Sequence, residues 1–297
     1  MVHHSSCPLC SSQNINPELR CTDHFVSGRE FEIFICANCG FRFTQDYPEE
    51  SEIGKYYESE SYISHSDTSA RFSDKLYRVA RNFMLRRKRN LVSKVTGLKT
   101  GTILDIGSGT GYFASAMKDA GWISESVEIN EKAREFARLN FGLATMQPDK
   151  IGSLEPCRYD CITLWHVLEH FHDPWTFISE IDRLLKPGAS CIIALPNCNS
   201  YDAEHFGRFW AAWDVPRHLW HFSPGTFRSF SQKSGLQLMA LNALPLDALY
   251  ISQLSEKYSG SSAAFLKGMT LGSWFFLKSL FRKEKSSSLV YILKKPA

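Results

Sequence analysis

The sequence has no run of eighteen apolar residues free of charge, so no conventional membrane-spanning helix is expected. Its opening residues, MVHHSSCPLC, contain no apolar stretch of the kind that directs export. Neither sign of charge dominates. The 34 Lys and Arg against 31 Asp and Glu leave a formal net charge of +3, too little by itself to imply a nucleic-acid partner. Nine cysteines in 297 residues do not make a secreted disulfide framework. No internal repeat is visible. These absences favour a reducing, cytoplasmic compartment. What is present is ordinary for a globular protein: 43% hydrophobic and 22% charged residues exclude disordered and collagen-like classes. The length suffices for one large domain or two modest ones.

The cysteines are unevenly placed. Two pairs, Cys7-Pro-Leu-Cys10 and Cys36-Ala-Asn-Cys39, are separated by 25 residues and followed by Gly40. Two thiolates two residues apart on a tight turn take two corners of a tetrahedron, and a second such knuckle supplies the others. Between them, Phe31–Ile35 alternates enough to be a strand. A redox dithiol needs only one such pair and normally opens a helix, so a structural zinc ribbon held by Cys7, Cys10, Cys36 and Cys39 is expected. Cys21 and His24 are spare ligands, with ordinary structural roles expected for both.

Residues 71–99 carry ten Lys or Arg against one acid, Asp74. Phe72, Leu76, Val79 and Phe83 recur at helical spacing, which predicts an amphipathic helix with that stripe buried and its charges solvated. The absence of interleaved aromatics argues against a nucleic-acid surface.

From Gly101 strands alternate with helices. Strands are expected at 102–105, 126–128, 160–164, 191–195, 236–241 and 289–293, with helices at 112–120, 131–140, 174–185 and 223–234. That alternation implies a mostly parallel sheet covered on both faces. The chain divides into a zinc-ribbon-like module (1–45), a tyrosine-containing linker and basic helix (46–95), and an α/β domain (96–297) with a helical insertion at about 245–288.

The chemistry is expected around Leu104-Asp-Ile-Gly107-Ser108-Gly109-Thr-Gly111-Tyr112-Phe113. A glycine-rich turn after the first strand lets a ligand approach the backbone and meet the N–H groups of the next helix. A dinucleotide fingerprint needs glycine at position 112, where tyrosine stands, and Asp105 would repel a pyrophosphate. It suits an ammonium or an ordered water instead. Glu128, at the end of the next strand, is placed to accept hydrogen bonds from vicinal ribose hydroxyls.

This glycine loop, V-E-I-N at 127–130, Y-D-C-I-T-L-W-H-V-L-E-H at 159–170, and the later L-K-P-G and L-P-N together resemble class I S-adenosylmethionine-dependent methyltransferases, over about residues 95–245. The likeness is greatest to the bacterial branch with small-molecule or sugar substrates. The resemblance implies a Rossmann-like doubly wound α/β sheet of seven strands, the last antiparallel. It implies S-adenosyl-L-methionine held by Asp105, Gly107, Ser108, Gly109, Gly111, Tyr112, Glu128 and Ile129, with His166 and Tyr62 beside them. The N-terminal ribbon with its following tyrosines is similar to the front of bacterial deoxysugar C-methyltransferases, which carry Y-H-E-H-x-x-Y-F-S after the fifth strand. Here Val215 and Arg217 replace the tyrosine and glutamate, while His218 matches the final histidine. O- or N-methylation of a small-molecule or saccharide acceptor is therefore expected, with His218 first, then His166 and His221, near the transferred methyl as proton acceptors. A sugar C-methyltransferase and a nucleic-acid methyltransferase or binding module are the alternatives. Residues 263–285 mix aromatics with Lys267, Lys278, Arg282, Lys283 and Lys285, and are expected either as a lid over the cleft or as a peripheral contact with an anionic membrane.

Overall fold

Short apolar strands separated by helices bury both faces only when helices cover a central sheet on each side, and the chain folds that way. A computed structural model of the protein describes residues 1–57, 73–244 and 246–297. Tyr62 and Phe72 lie outside the described residues, as does the side chain of Leu76.

Three ribbon strands come first: β1 (Ile15–Thr22), β2 (Glu30–Cys36) and β3 (Arg42–Thr44). Then follow β4 (Thr102–Ile106), β5 (Ile123–Val127), β6 (Tyr159–Trp165), β7 (Leu185–Pro196), β8 (Trp220–His221), β9 (Gln237–Ala243) and β10 (Ser288–Lys294). The central sheet has the order β5-β4-β6-β7-β10-β9. Strands β4 to β7 are parallel, and β10 runs antiparallel between β7 and β9. The expected α/β sheet with an antiparallel last strand is present, but with six strands among the described residues where seven were expected. The missing edge strand is a single bridge, Met146 to Val127. Pro148 opens a 3₁₀ turn two residues later and brings no N–H, so the ladder stops there.

Successive strand residues face opposite layers. Leu104, Ile106, Ile162, Leu164, Ile193 and Tyr291 pack on one side. Ile103, Cys161, Ile192 and Val290 pack on the other, against Val92, Phe113, Met117 and Trp122.

Helix α1 (Ser73–Thr96) feeds the first sheet strand. The expected buried stripe is corrected here: Val79 and Phe83 are 60% and 48% exposed. Val92 is buried and Leu85, Leu91 and Val95 are partly buried instead, because the second half of the helix lies against the sheet layer. The remaining helices used below are α2 (Tyr112–Asp119), α3 (Glu131–Phe141), α4 (Pro174–Leu184), α5 (Tyr201–Phe206), α6 (Pro224–Ser231), α7 (Asp247–Tyr258) and α8 (Ala264–Phe281).

The ribbon is built into the body of the fold. Strand β3 pairs with β8, so the four-stranded ribbon sheet takes its last strand from the segment that follows β7. Phe41 stacks on Trp220 with centroids 6.2 Å apart, which fixes the ribbon beside the carboxyl ends of the sheet strands.

Candidate functional site

The glycine loop sits between β4 and α2. Gly107 has φ +67°, and a Cβ there would collide with the Val167 side chain, so two independent constraints require glycine. Gly109 also has positive φ, but a Cβ there would meet nothing within 4 Å: the loop faces open space. The Ser108 hydroxyl is buried without a hydrogen-bond partner among the described residues. Glu128 accepts from the Gly109 N–H at 2.7 Å and from Asn130 N–H at 2.9 Å, joining the end of β5 to the loop. Ile129 follows it, 78% exposed at the rim. Gly111 N-caps α2, and Tyr112 begins that helix with Arg81 stacked 3.8 Å over its ring.

Asp105 is 2% exposed and accepts from Thr163 Oγ1 at 2.7 Å. Burial raises its pKa to about 7, against the opposing pull of that hydroxyl and of Lys88. Lys88 comes from α1, where solvated charges were expected. It turns inward instead, with Nζ 4.2 Å over the Trp165 ring, and its charge faces Asp105 and Asp247. These features fit the cofactor expected from the sequence: a buried carboxylate for an ammonium, an orphaned hydroxyl, an unobstructed glycine, and a carboxylate held beside the loop for a ribose.

Across the strand ends, His166, His170 and His218, from two loops, gather around Glu169. His166 adopts φ +59°, a left-handed conformation that costs a non-glycine residue roughly 1–2 kcal/mol. That conformation places Nδ1 3.6 Å from Glu169 and Nε2 3.0 Å from Asp247, the first residue of α7. Burial disfavours its charge, but the two carboxylates outweigh burial and raise its pKa to about 9. His218 Nε2 is 3.9 Å from Glu169 and 3.8 Å from Asp214. His170 stacks edge-on to His218, and burial together with that neighbour lowers its pKa to about 4. Glu169 is 1% exposed; burial works against its charge, yet the surrounding histidines hold its pKa below the usual carboxylate value.

His221 is elsewhere. It belongs to β8, lies 3.1 Å from Thr44 Oγ1 and packs edge-on against Trp213. The structure therefore brings His166 and His218 together and keeps His221 in the ribbon interface. Glu169, His170, Lys88 and Asp247 went unnoticed in the sequence; a glutamate flanked by histidines at 166 and 170 was the available signal.

The four ribbon cysteines are free thiols whose Sγ atoms lie within 4.8 Å of one another, with Cys7–Cys39 and Cys10–Cys36 each at 3.6 Å. A tetrahedral ion with bonds of ~2.3 Å needs edges of about 3.8 Å, so the cluster takes zinc with small side-chain adjustments. Cys21 is buried in a separate core, and His24 stacks on Tyr258, so neither approaches the cluster.

A family profile described as "Methyltransferase domain" matches residues 75–241. The ubiquinone biosynthesis O-methyltransferase of Idiomarina loihiensis is 26% identical over 175 residues, covering 54% of this chain and 72% of the relative. The enzyme of the same name from Pseudomonas paraeruginosa is 26% identical over 173 residues, covering 54% and 75%. Among solved structures, phosphoethanolamine N-methyltransferase 2 of Haemonchus contortus with S-adenosyl-L-methionine superimposes with a TM-score of 0.52 at 15% identity, over 86% of this chain and 62% of that one.

Proposed function

The chain belongs to the methyltransferase-domain family and is an S-adenosylmethionine-dependent methyltransferase; on that premise we propose that it methylates a hydroxyl oxygen of a small molecule. The observation that carries the choice of oxygen is Glu169, a buried carboxylate with His166 and His218 at 3.6 and 3.9 Å. An alcohol or phenol must lose a proton as it attacks, and this cluster of carboxylate and imidazoles is what promotes that loss. The relatives named as O-methyltransferases support the same reading.

The cofactor supplies an electrophilic methyl group on a sulfonium. The chain supplies the rest. Asp105 receives the ammonium, the loop at Gly107–Gly111 takes the amino-acid portion, Glu128 orients the ribose, and Tyr112 and Ile129 border the site. Holding acceptor oxygen, methyl carbon and sulfur in line is the larger part of the catalysis. Cys7, Cys10, Cys36 and Cys39 hold a structural zinc, since four thiolates leave no open position for chemistry. The proposed division is a ribbon module at 1–45, a linker and basic helix at 46–95, and the methyltransferase domain at 96–297.

No helix among the described residues is long and apolar enough to cross a membrane. Helix α8 instead exposes Leu266, Trp274, Leu277, Leu280 and Phe281 on its outer side. With Lys267, Arg282 and Lys283 flanking them, that face suits an anionic membrane surface, and residues 263–285 form the proposed contact.

The test of the acceptor is transfer of a labelled methyl group to a panel of phenols, catechols, saccharides and amines. Label on oxygen is expected. Label recovered only on nitrogen or carbon would overturn the reading.

A further inference from the structure

Glu169 is 1% exposed, yet neither carboxylate oxygen has a hydrogen-bond partner among the described residues. The His166 and His218 rings approach it at 3.6 and 3.9 Å, beyond hydrogen-bond reach, so the carboxylate is still open to a cation or a donor. One ligand atom each from Glu169, His170 and His218 lies within 4.8 Å of the other two. The outer nitrogens of both rings are already committed. His218 Nδ1 lies 2.9 Å from the Ala212 carbonyl oxygen, and His170 Nδ1 lies 3.1 Å from that of Arg217, with the Tyr57 hydroxyl oxygen a second acceptor at 3.0 Å. A carbonyl only accepts, so both Nδ1 atoms carry the proton and both Nε2 atoms keep a lone pair. Ligating histidines are held in this manner in metal sites. The two loops are also pinned to each other, since Leu219 N–H donates to the Glu169 carbonyl at 2.8 Å.

We propose that Glu169, His170 and His218 bind a divalent first-row transition-metal ion, separate from the four-cysteine site, and that this ion binds the acceptor's hydroxyl oxygen. The second clause rests on the O-methylation reading; the ion site itself does not. Two imidazoles and one carboxylate suit Mn²⁺, Fe²⁺ or Zn²⁺ better than Mg²⁺ or Ca²⁺, which prefer all-oxygen shells. Three protein ligands leave positions open for the acceptor. With bonds of about 2.1 Å, ligand atoms stand roughly 3.0–3.5 Å apart, so the three side chains close by about an ångström on the ion. His166 lies outside this group of three and stays the ion-pair partner of Asp247, 3.0 Å from its Nε2. A hydroxyl bound to the ion releases its proton to water at lower pH than the free hydroxyl does. The oxygen lone pair then forms the O–C bond as the C–S bond breaks, and that electron pair leaves with sulfur.

Mn²⁺ is the probe, because a four-thiolate site favours zinc. The full chain with its zinc in place is titrated with MnCl₂, and free Mn²⁺ is followed by its six-line electron paramagnetic resonance signal. Uptake of one Mn²⁺ per chain is expected, weakened at least about tenfold in Glu169→Gln and in His218→Gln. Affinity for S-adenosylhomocysteine, held on the other side of the site, should stay within about twofold in both variants and so reports intact folding. Zinc counting gives a second route on the protein as isolated: two zinc per chain, falling to one in Glu169→Gln, also supports the site. No uptake of Mn²⁺ by a chain that holds a single zinc, or equal Mn²⁺ affinity in wild type and both variants, overturns it. Mn²⁺ bound and lost as expected, with no label reaching any hydroxyl, supports the ion site while overturning the hydroxyl acceptor.

Discussion

Arg217 and Asp23 stand 194 residues apart in the chain and 3.1 Å apart in the fold, both buried. The same guanidinium meets Asp214 at 2.6 Å and donates to the Tyr56 carbonyl at 3.1 Å. One side chain thus joins the ribbon, the segment after it and the loop that carries His218. Burial works against Arg217, but the two carboxylates outweigh it and raise its pKa further.

Removing that cation leaves Asp23 and Asp214 without the guanidinium that balances their charge. Arg217→Met should therefore destabilise the protein by about 3–5 kcal/mol, read from the midpoint of urea unfolding. A loss under about 1 kcal/mol would mean that the ribbon and the loop are held by their apolar contacts alone.

Arg217 also marks where the sequence was legible and where it was not. The glycine loop, Glu128, the four cysteines and the six strands of the central sheet all declare themselves locally, through spacing and period. The partners of Arg217 do not, because nothing local to residue 217 points to residue 23. Lys88 was hidden for a related reason: on a helix with eight basic residues, which one turns inward depends on where the helix docks. The stripe at Val79 and Phe83 has the right period but lies on the half of α1 that does not pack on the sheet layer. Likewise, nothing local shows that β8 completes the ribbon sheet and removes His221 from the site.

Zinc should be present at one ion per chain or more in protein purified without chelator, bound by the four ribbon cysteines. Cys36→Ser should lower that count by one and lower the melting temperature, because the ribbon's short strands bury little without the ion. Elemental analysis finding no stoichiometric zinc would remove the ribbon's metal from the account.

Asp105 supplies a pH dependence. Its folded pKa of about 7 lies above its ordinary value of 3.8, so the folded state holds a proton that the unfolded state releases between those values. Its contribution to stability is full below about pH 3.8 and is lost as the pH rises through 7. Binding runs the other way, since an ammonium needs the ionised carboxylate. Cofactor affinity should rise by up to about tenfold per unit between pH 5.5 and 7 and then level off. Asp105→Asn should bind weakly with that slope absent; an unchanged slope in calorimetry would place the ammonium elsewhere.

The outer face of α8 predicts co-sedimentation with vesicles containing phosphatidylglycerol and much less with phosphatidylcholine alone. Trp274→Asp with Leu280→Asp should abolish it without altering cofactor affinity. No sedimentation, together with a wild-type dimer that the double variant dissociates, would assign this face to a second copy of the chain.

The most direct test of the central claim, that the glycine loop and Glu128 hold S-adenosylmethionine, is calorimetric titration of cofactor into wild type and Glu128→Ala. Glu128 already bonds the Gly109 and Asn130 N–H groups, so its loss frees the loop as well as removing the ribose contacts. The predicted result is one site per wild-type chain and affinity lower by about 10- to 100-fold in the variant. Equal affinity in the two proteins, or no binding by wild type, would contradict the account.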